Sequence, residues 1–368
     1  MTAALALRKV GFEVVVLERR RKLDDLHAGG GMVLWHNAMR ALGSLGIAGE
    51  VEAAGSALER MDWTTDRGGH VASWPLLDLN AELGLKAIGV ARSDLHAVLT
   101  RAVGGQALTM GADVIRTEPD GDGVTAILEG GAQVRGDVLV GADGINSATR
   151  IAQIGDGPLR PAGYELSFGM VEAERGSGAA FKEYVGRGAR FIVFPVGRGL
   201  TYWSAIYVTG RHDEAGHAAD PAVLLDLYRG WPEPIESLIE ATDARSIYRR
   251  DIADRAPVDH WGAGRVTLLG DAAHPMTPNL GQGACQAIED AVVLAKNLAA
   301  LPADDVGALR SYEQRRFART AAFVNRSRWI GAMGCWKQPM ACLLRDQIQR
   351  IVFPLAYLGH RRDMAYEP

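Results

Sequence analysis

Residues 265–290 read RVTLLGDAAHPMTPNLGQGACQAIED, and the order of features in them decides the fold. Residues 266–269 form a short apolar run, the pattern of a buried strand. Gly270-Asp271 falls where that strand ends, a loop with two prolines follows, and Gly281-Gln282-Gly283 opens a helix. Ile288, Ala291, Val292, Ala295 and Leu298 then recur at helical spacing, which predicts an amphipathic helix with one face on the core. Strand, carboxylate, glycine turn and helix start together present backbone N–H groups and a positive dipole end to an electron-rich ligand. Gly281 and Gly283 let such a ligand approach the backbone, where a side chain would hold it off. Asp271 is placed to accept hydrogen bonds from the hydroxyls of a polyol. A structural strand–turn–helix whose glycines only make the turn has the same pattern, so this stretch alone leaves both readings open.

Working outward, the same texture appears twice more. Residues 137–150, DVLVGADGINSATR, run a buried strand into Gly-Ala-Asp-Gly and a polar turn. At the front, residues 2–9 read as helix stopped by Gly11, and 12–17 as a buried strand ending at Glu18, followed by Arg19. An acidic residue at the end of such a strand is the ribose-binding position of a dinucleotide fold. The glycine-rich loop of that fingerprint belongs about 20 residues earlier. Counting back from Glu18 passes Met1, so the expectation is either a natural start upstream or a fold without its first strand.

The remaining segments supply the frame. A hairpin is expected over 59–74, turning at Asp66-Arg67-Gly68-Gly69, and another over 123–135 across Glu129-Gly130-Gly131. A helix over 93–103 has Ser93 as its N-cap. Arg92 beside it is either a solvated charge or a clamp for a phosphate or flavin oxygen. From 163 to 208, short β-rich runs separated by glycine turns predict an antiparallel sheet. This sheet separates two nucleotide-binding-like pieces, so the cofactor domain is discontinuous. The arginine-rich helix over 309–327 (Arg310, Arg315, Arg316, Arg319, Arg326) reads as a solvated face. Residues 340–352 read as an amphipathic helix with Leu343, Leu344, Ile348 and Ile351 inward, halted at Pro354 and packed on the body or on a second subunit. A membrane-surface role is the weaker reading, because its charges are mixed.

Bulk properties bound the rest. A chain of 368 residues is long for one core, and 48% hydrophobic with 23% charged residues is an ordinary globular composition. A formal net charge of -4 gives no electrostatic case for nucleic acid. Cys285, Cys335 and Cys342 have no metal-ligand or CxxC spacing, and an odd, small number fits free thiols in a reducing compartment. No signal-peptide pattern and no apolar run of roughly eighteen residues occurs. The expectation is a cytoplasmic protein without a membrane span or a metal site.

With Glu18, Asp143-Gly144 (followed by Ser147 and Arg150) and Gly270-Asp271 through Gly283 in hand, the chain resembles the class A FAD-dependent aromatic monooxygenases. That group includes salicylate hydroxylase, 3-hydroxybenzoate 6-hydroxylase, the FAD-dependent urate hydroxylase and zeaxanthin epoxidase. Residues 249–290 are especially similar to the epoxidase branch. The resemblance implies an α/β fold with an α+β insert: a discontinuous Rossmann-like FAD-binding domain of the glutathione reductase type, an inserted, mostly antiparallel substrate sheet and C-terminal helices. It implies an FAD-binding part over 1–160 with some of the substrate layer at 60–90, a substrate domain over 161–260, a return of the FAD domain over 261–330 and a helical segment over 331–368. In the family pattern GxGxxG lies just upstream of Met1, which implies a longer natural protein. His36 stands where relatives commonly have proline.

The resemblance also assigns roles. Asp271 is expected on the ribityl hydroxyls, Gly281, Gln282 and Gly283 by the flavin pyrimidine and pyrophosphate, and Pro278 near the isoalloxazine. Glu18 with Arg19 is expected at the adenosine ribose, Val114 at the adenine, Arg92 on FAD, and Asp143-Gly144 at both FAD and the nicotinamide donor. Arg190 and Tyr202 match the positions of substrate-binding residues in the urate hydroxylase; the bland reading of both is strand residues with satisfied polar tips. His274 reads as ordering its loop, and Phe191, Phe194 and Trp203 as core or cavity wall. No catalytic residue is assigned. The implied activity is hydroxylation of a small aromatic or heterocyclic compound with NADH or NADPH and O2, through a flavin C4a-hydroperoxide, by a monomer or homodimer. The alternatives are an epoxidase or reductase acting on a polyene or prenyl chain, or a truncated non-catalytic relative.

Overall fold

In the computed structural model, which describes residues 1–22, 30–155, 157–172, 178–208 and 219–368, two short parallel strand pairs carry the segments that opened the sequence reading. Leu139–Gly141 pairs with Val266–Leu268, with Leu139 opposite Val266 and Gly141 opposite Leu268. Val266–Leu268 is buried throughout, as a strand covered on both faces must be. Val16–Glu18 pairs with Leu108–Met110. This strand is shorter than the apolar run at 12–17 predicts: residues 12–15 lie outside the ladder, and Val15 is exposed.

Helix Gly283–Ala300 follows, and its predicted inward residues Ile288, Ala291, Val292, Ala295 and Leu298 are all buried in the main core. Helix Arg92–Val103 begins one residue earlier than expected. Ala91 is its N-cap, without a side-chain bond, because Ala91 is still the last residue of strand Ala87–Ala91, opposite Gly31.

The middle of the chain builds a seven-stranded sheet in the order Tyr248–Asp254, Arg160–Glu172, Leu200–Tyr207, Ala189–Pro195, Ala180–Val185, Arg60–Thr65 and His70–Pro75. Every neighbouring pair is antiparallel except Ala180–Val185 with Arg60–Thr65. The early hairpin therefore joins the late sheet. One face of the sheet meets the main core. The other covers a second core in which Phe191 stacks on Trp203 with centroids 5.5 Å apart, closed by Tyr228, Leu238 and Ile239.

Two expectations fail at the C-terminal end. The arginine-rich stretch lies in helix Asp305–Gly334, and it is only in part a solvated face: Arg315 and Arg326 are exposed, but Arg316 is wholly buried and Arg319 largely so. Their charges are met by Glu289 and Asp290 of the Gly283 helix, which no periodicity along one helix reveals. The last helix, Pro339–Met364, runs through Pro354 instead of halting there. It also faces the opposite way from the reading: Arg345 and Gln349 are buried, while Leu343, Leu344, Ile348 and Ile351 are exposed. Arg345 donates to the carbonyl of Gly186 at 3.0 Å and Trp74 Nε1 donates to the carbonyl of Phe353 at 3.1 Å, so polar and aromatic anchoring, not leucine burial, fixes the helix rotation.

Candidate functional site

The aligned parallel strands bring Gly141-Ala142-Asp143-Gly144 and Gly270-Asp271 out at the same carboxyl end, the usual place for a ligand crevice in such folds. Leu269 N donates to Gly141 O at 2.9 Å. The buried guanidinium of Arg150 donates from one nitrogen to the carbonyls of Ala272 and Ala273, at 2.9 and 2.6 Å. The two distant segments are thus stitched into one rim.

That rim borders a cavity of about 810 Å³, large enough for a cofactor-sized ligand rather than a single small ring. Of the expected site residues, Arg92, Gly144, Asp271, Pro278, Gly281, Gly283, Arg190 and Tyr202 line it. The Asp271 carboxyl is pushed up from its ordinary value by loss of water, with His274 and Arg92 pulling the other way. Burial likewise lowers the Arg92 guanidinium, against the pull of Asp271. Gly144 and Gly281 both hold positive φ (+82° and +60°), and a Cβ on Gly281 would stand 3.1 Å from Trp35 Nε1. Trp35 Nε1 is itself buried without a partner among the described residues.

The starts of three helices, at Thr2, Arg92 and Gly283, meet the cavity wall. Each brings first-turn N–H groups and a partial positive charge, although Arg92 N itself donates to Gly30 O at 3.0 Å.

Five expected residues stand elsewhere. The Asp143 carboxylate is occupied within its own turn: it accepts from Ser147 Oγ at 2.5 Å and from both the backbone N and Oγ1 of Thr149 at 3.1 Å. It shapes the start of helix Ala148–Ile154 and leaves Gly144 to face the cavity. Gln282 turns its amide into the core, where it accepts from Asn37 at 3.1 Å and Gln286 at 2.9 Å. Glu18, Arg19 and Val114 lie off the cavity wall, grouped at the end of the Val16 strand, where Ala112 N donates to Glu18 O at 2.9 Å.

On the sheet side, Arg190 is not a free cation. Its Nη1 donates to Glu183 Oε1 at 3.0 Å and its Nη2 to Asn279 Oδ1, while Nε has no partner among the described residues. Asn279 belongs to the turn just before Gly281, so this bond ties the glycine loop to the sheet. Tyr202, buried beside Phe194 and Phe168, has its phenol pushed up to about 12 by loss of water. It stays protonated at neutral pH.

Glu183, Asn279, Trp35 and His360 were missed, since each reaches the cavity from a different element. His360 packs against Trp35 and Trp74, at 5.2 and 5.1 Å between centroids, and burial lowers its imidazole to about 3. Among the sequence's bland readings, His274 is buried and bonded to Asp290 at 2.6 Å, Phe194 is cavity wall, and Trp203 is core. Among the described residues no cluster of His, Cys, Asp and Glu could hold a metal ion, and no helix is long and apolar enough to cross a membrane.

Comparison with known proteins places this geometry. Residues 1–327 match a family described as an FAD binding domain. The chain is 39% identical over 355 residues to the aurachin C monooxygenase/isomerase of Stigmatella aurantiaca, covering 96% of this chain and 91% of that one. It is 35% identical over 365 residues to the chloroplastic zeaxanthin epoxidase of Oryza sativa subsp. japonica, covering 92% of this chain but 54% of the epoxidase, about half its length. The crystal structure of Klebsiella pneumoniae HpxO complexed with FAD and uric acid superposes with a TM-score of 0.90 at 30% identity, covering 99% of this chain and 93% of that one.

Proposed function

The chain belongs to the class A FAD-dependent monooxygenases, and from that premise we propose that it hydroxylates an electron-rich aromatic or heterocyclic substrate with NADH or NADPH as electron donor. The observation that carries this reading is the single cavity shared by the Gly144, Asp271 and Gly281 rim and the Arg190–Tyr202 sheet face. The residues present fit FAD. Asp271 would hold ribityl hydroxyls, Gly281 and Gly283 would admit the ring system and the phosphates, and the helix starts with Arg92 suit a pyrophosphate. Bound FAD supplies electron transfer from the nicotinamide donor and activation of O2.

The chain's own residues position and shield. Trp35, Phe181, Phe194 and Phe353 wall the cavity with apolar surface that keeps water from the reacting centre. Glu183 neutralises Arg190, so the sheet side favours an uncharged ring over an anionic one. Tyr202 donates a hydrogen bond and does not take a proton. The aromatic walls also favour a second reading, oxygenation of an alkene in a polyene or prenyl chain.

The test is NAD(P)H oxidation and O2 uptake by purified, FAD-supplemented protein, with product analysis on uncharged phenolic, urate-type and polyene substrates. Oxygenated product from the uncharged aromatics is expected. Product from the polyene alone moves the assignment to the second reading, and no FAD-induced rise in melting temperature refutes both. Tyr202→Phe is expected to raise KM several-fold while leaving the pH dependence of kcat unchanged around neutrality. A basic limb that vanishes in the variant would show that Tyr202 titrates there after all.

A further inference from the structure

The rotation of the last helix leaves a feature that the reaction does not use. Met340, Leu344, Ile351, Leu355 and Leu358 recur at helical spacing along one face of Pro339–Met364 and all point to solvent. Met340, Ile351 and Leu355 are 76%, 72% and 66% exposed. Leu343, Ile348 and Val352 widen this stripe, and Trp329 of the preceding helix adds an indole that is 65% exposed. Scattered exposed leucines need no explanation, but a contiguous apolar stripe of this length does.

Charge says what covers it. The helix's own carboxylates are both taken, Asp346 by Arg345 and Asp363 by Arg326, while Glu82 of a neighbouring helix is held by Arg361. Asp78 stands on the flank beside Tyr357. Exposed Arg350 and Arg362 border the stripe, so its uncompensated charge is mainly positive. A second copy meets this face poorly, because a two-fold axis near Ile351 would set Arg350 against its own mate. An anionic bilayer meets it well: the apolar stripe enters the headgroup boundary, the basic side chains reach phosphates, and indoles sit at the interface. The cavity agrees, since Ile348, Val352 and Trp329 belong both to its wall and to this exposed face.

We propose that the Pro339–Met364 helix docks the protein on the surface of an anionic membrane and sets the cavity mouth against the lipid. This does not depend on the substrate assigned above, because it rests on exposure and charge alone.

The test is co-sedimentation of the full chain with mixed phosphatidylcholine–phosphatidylglycerol vesicles and with pure phosphatidylcholine vesicles. Binding to the mixed vesicles is expected, weakened by salt, with a blue shift of tryptophan emission. The triple variant Leu344→Glu, Ile351→Glu, Leu355→Glu, none of which lines the cavity, is expected to lose about tenfold or more of that binding at an unchanged melting temperature. Arg350→Glu with Arg362→Glu is expected to weaken it several-fold, and this variant decides the matter if the triple one fails to fold. Wild-type protein that stays in the supernatant overturns the proposal. So does a wild-type dimer that the triple variant converts to monomer without any vesicle binding, since the stripe would then be a self-interface.

Discussion

Arg316→Ala is expected to cost about 3–5 kcal/mol of unfolding free energy, the range for breaking a fully buried ion pair by removing one partner. Arg316 sits wholly buried between Glu289 and Asp290, donating at 2.6 and 2.7 Å, and also reaches Gln286 at 2.7 Å. Burial alone would raise the Asp290 carboxyl, but His274 and Arg316 outweigh it and hold the group at about 2. Without Arg316, Asp290 keeps His274 at 2.6 Å and Glu289 keeps Asn37 and Arg319, so two carboxylates remain in the core short of a cation. Arg319→Ala is expected to cost clearly less, because Arg319 is partly exposed and water replaces it. Denaturant unfolding at neutral pH measures both. A loss below about 1 kcal/mol for Arg316→Ala would mean that the carboxylates reach water, against the burial described. The sign with pH follows: a carboxyl held below its ordinary value stabilises the fold above pH 4 or so and loses that contribution as pH falls toward 2.

This cluster also marks the limit of what the sequence discloses. Strand Val266–Leu268, the glycine turn, the Gly283 helix and the hairpins were legible because each is written in consecutive residues: an apolar run, a period, a turn signal. The cavity rim was legible for the same reason at Asp271, Gly281 and Gly144. Arg316 was misread because its partners lie 26 and 27 residues away on another helix, and an arginine looks the same whether solvated or matched. Asp143 was credited to the ligand although Ser147 and Thr149, four and six residues on, already use its oxygens. The Pro339 helix was turned the wrong way because amphipathicity tells which residues share a face, not which face the body takes. Glu183 and Asn279 lie far apart in the chain and meet through Arg190; pairing across a sheet and a loop leaves no local trace.

Asp271→Ala is expected to weaken FAD binding by about ten- to a hundredfold, the loss of hydrogen bonds to a charged acceptor, and a comparison of stabilities separates this from mere unfolding. Among the described residues no side chain bonds the Asp271 carboxylate, which faces the cavity. Asp271 is exposed to the open cavity, so the folded apoprotein does not depend on its charge. Asp271→Asn should therefore leave the apoprotein at least as stable at neutral pH while still weakening FAD. Asp143→Asn should do the reverse, lowering stability because three hydrogen bonds depend on its oxygens, with a smaller effect on FAD titrations. A residue on which the empty fold does not depend is free to serve its ligand. Were Asp271→Asn to destabilise the apoprotein as Asp143→Asn does, both carboxylates would be parts of the scaffold, and the polyol contact assigned to Asp271 would have to pass to another group on the rim.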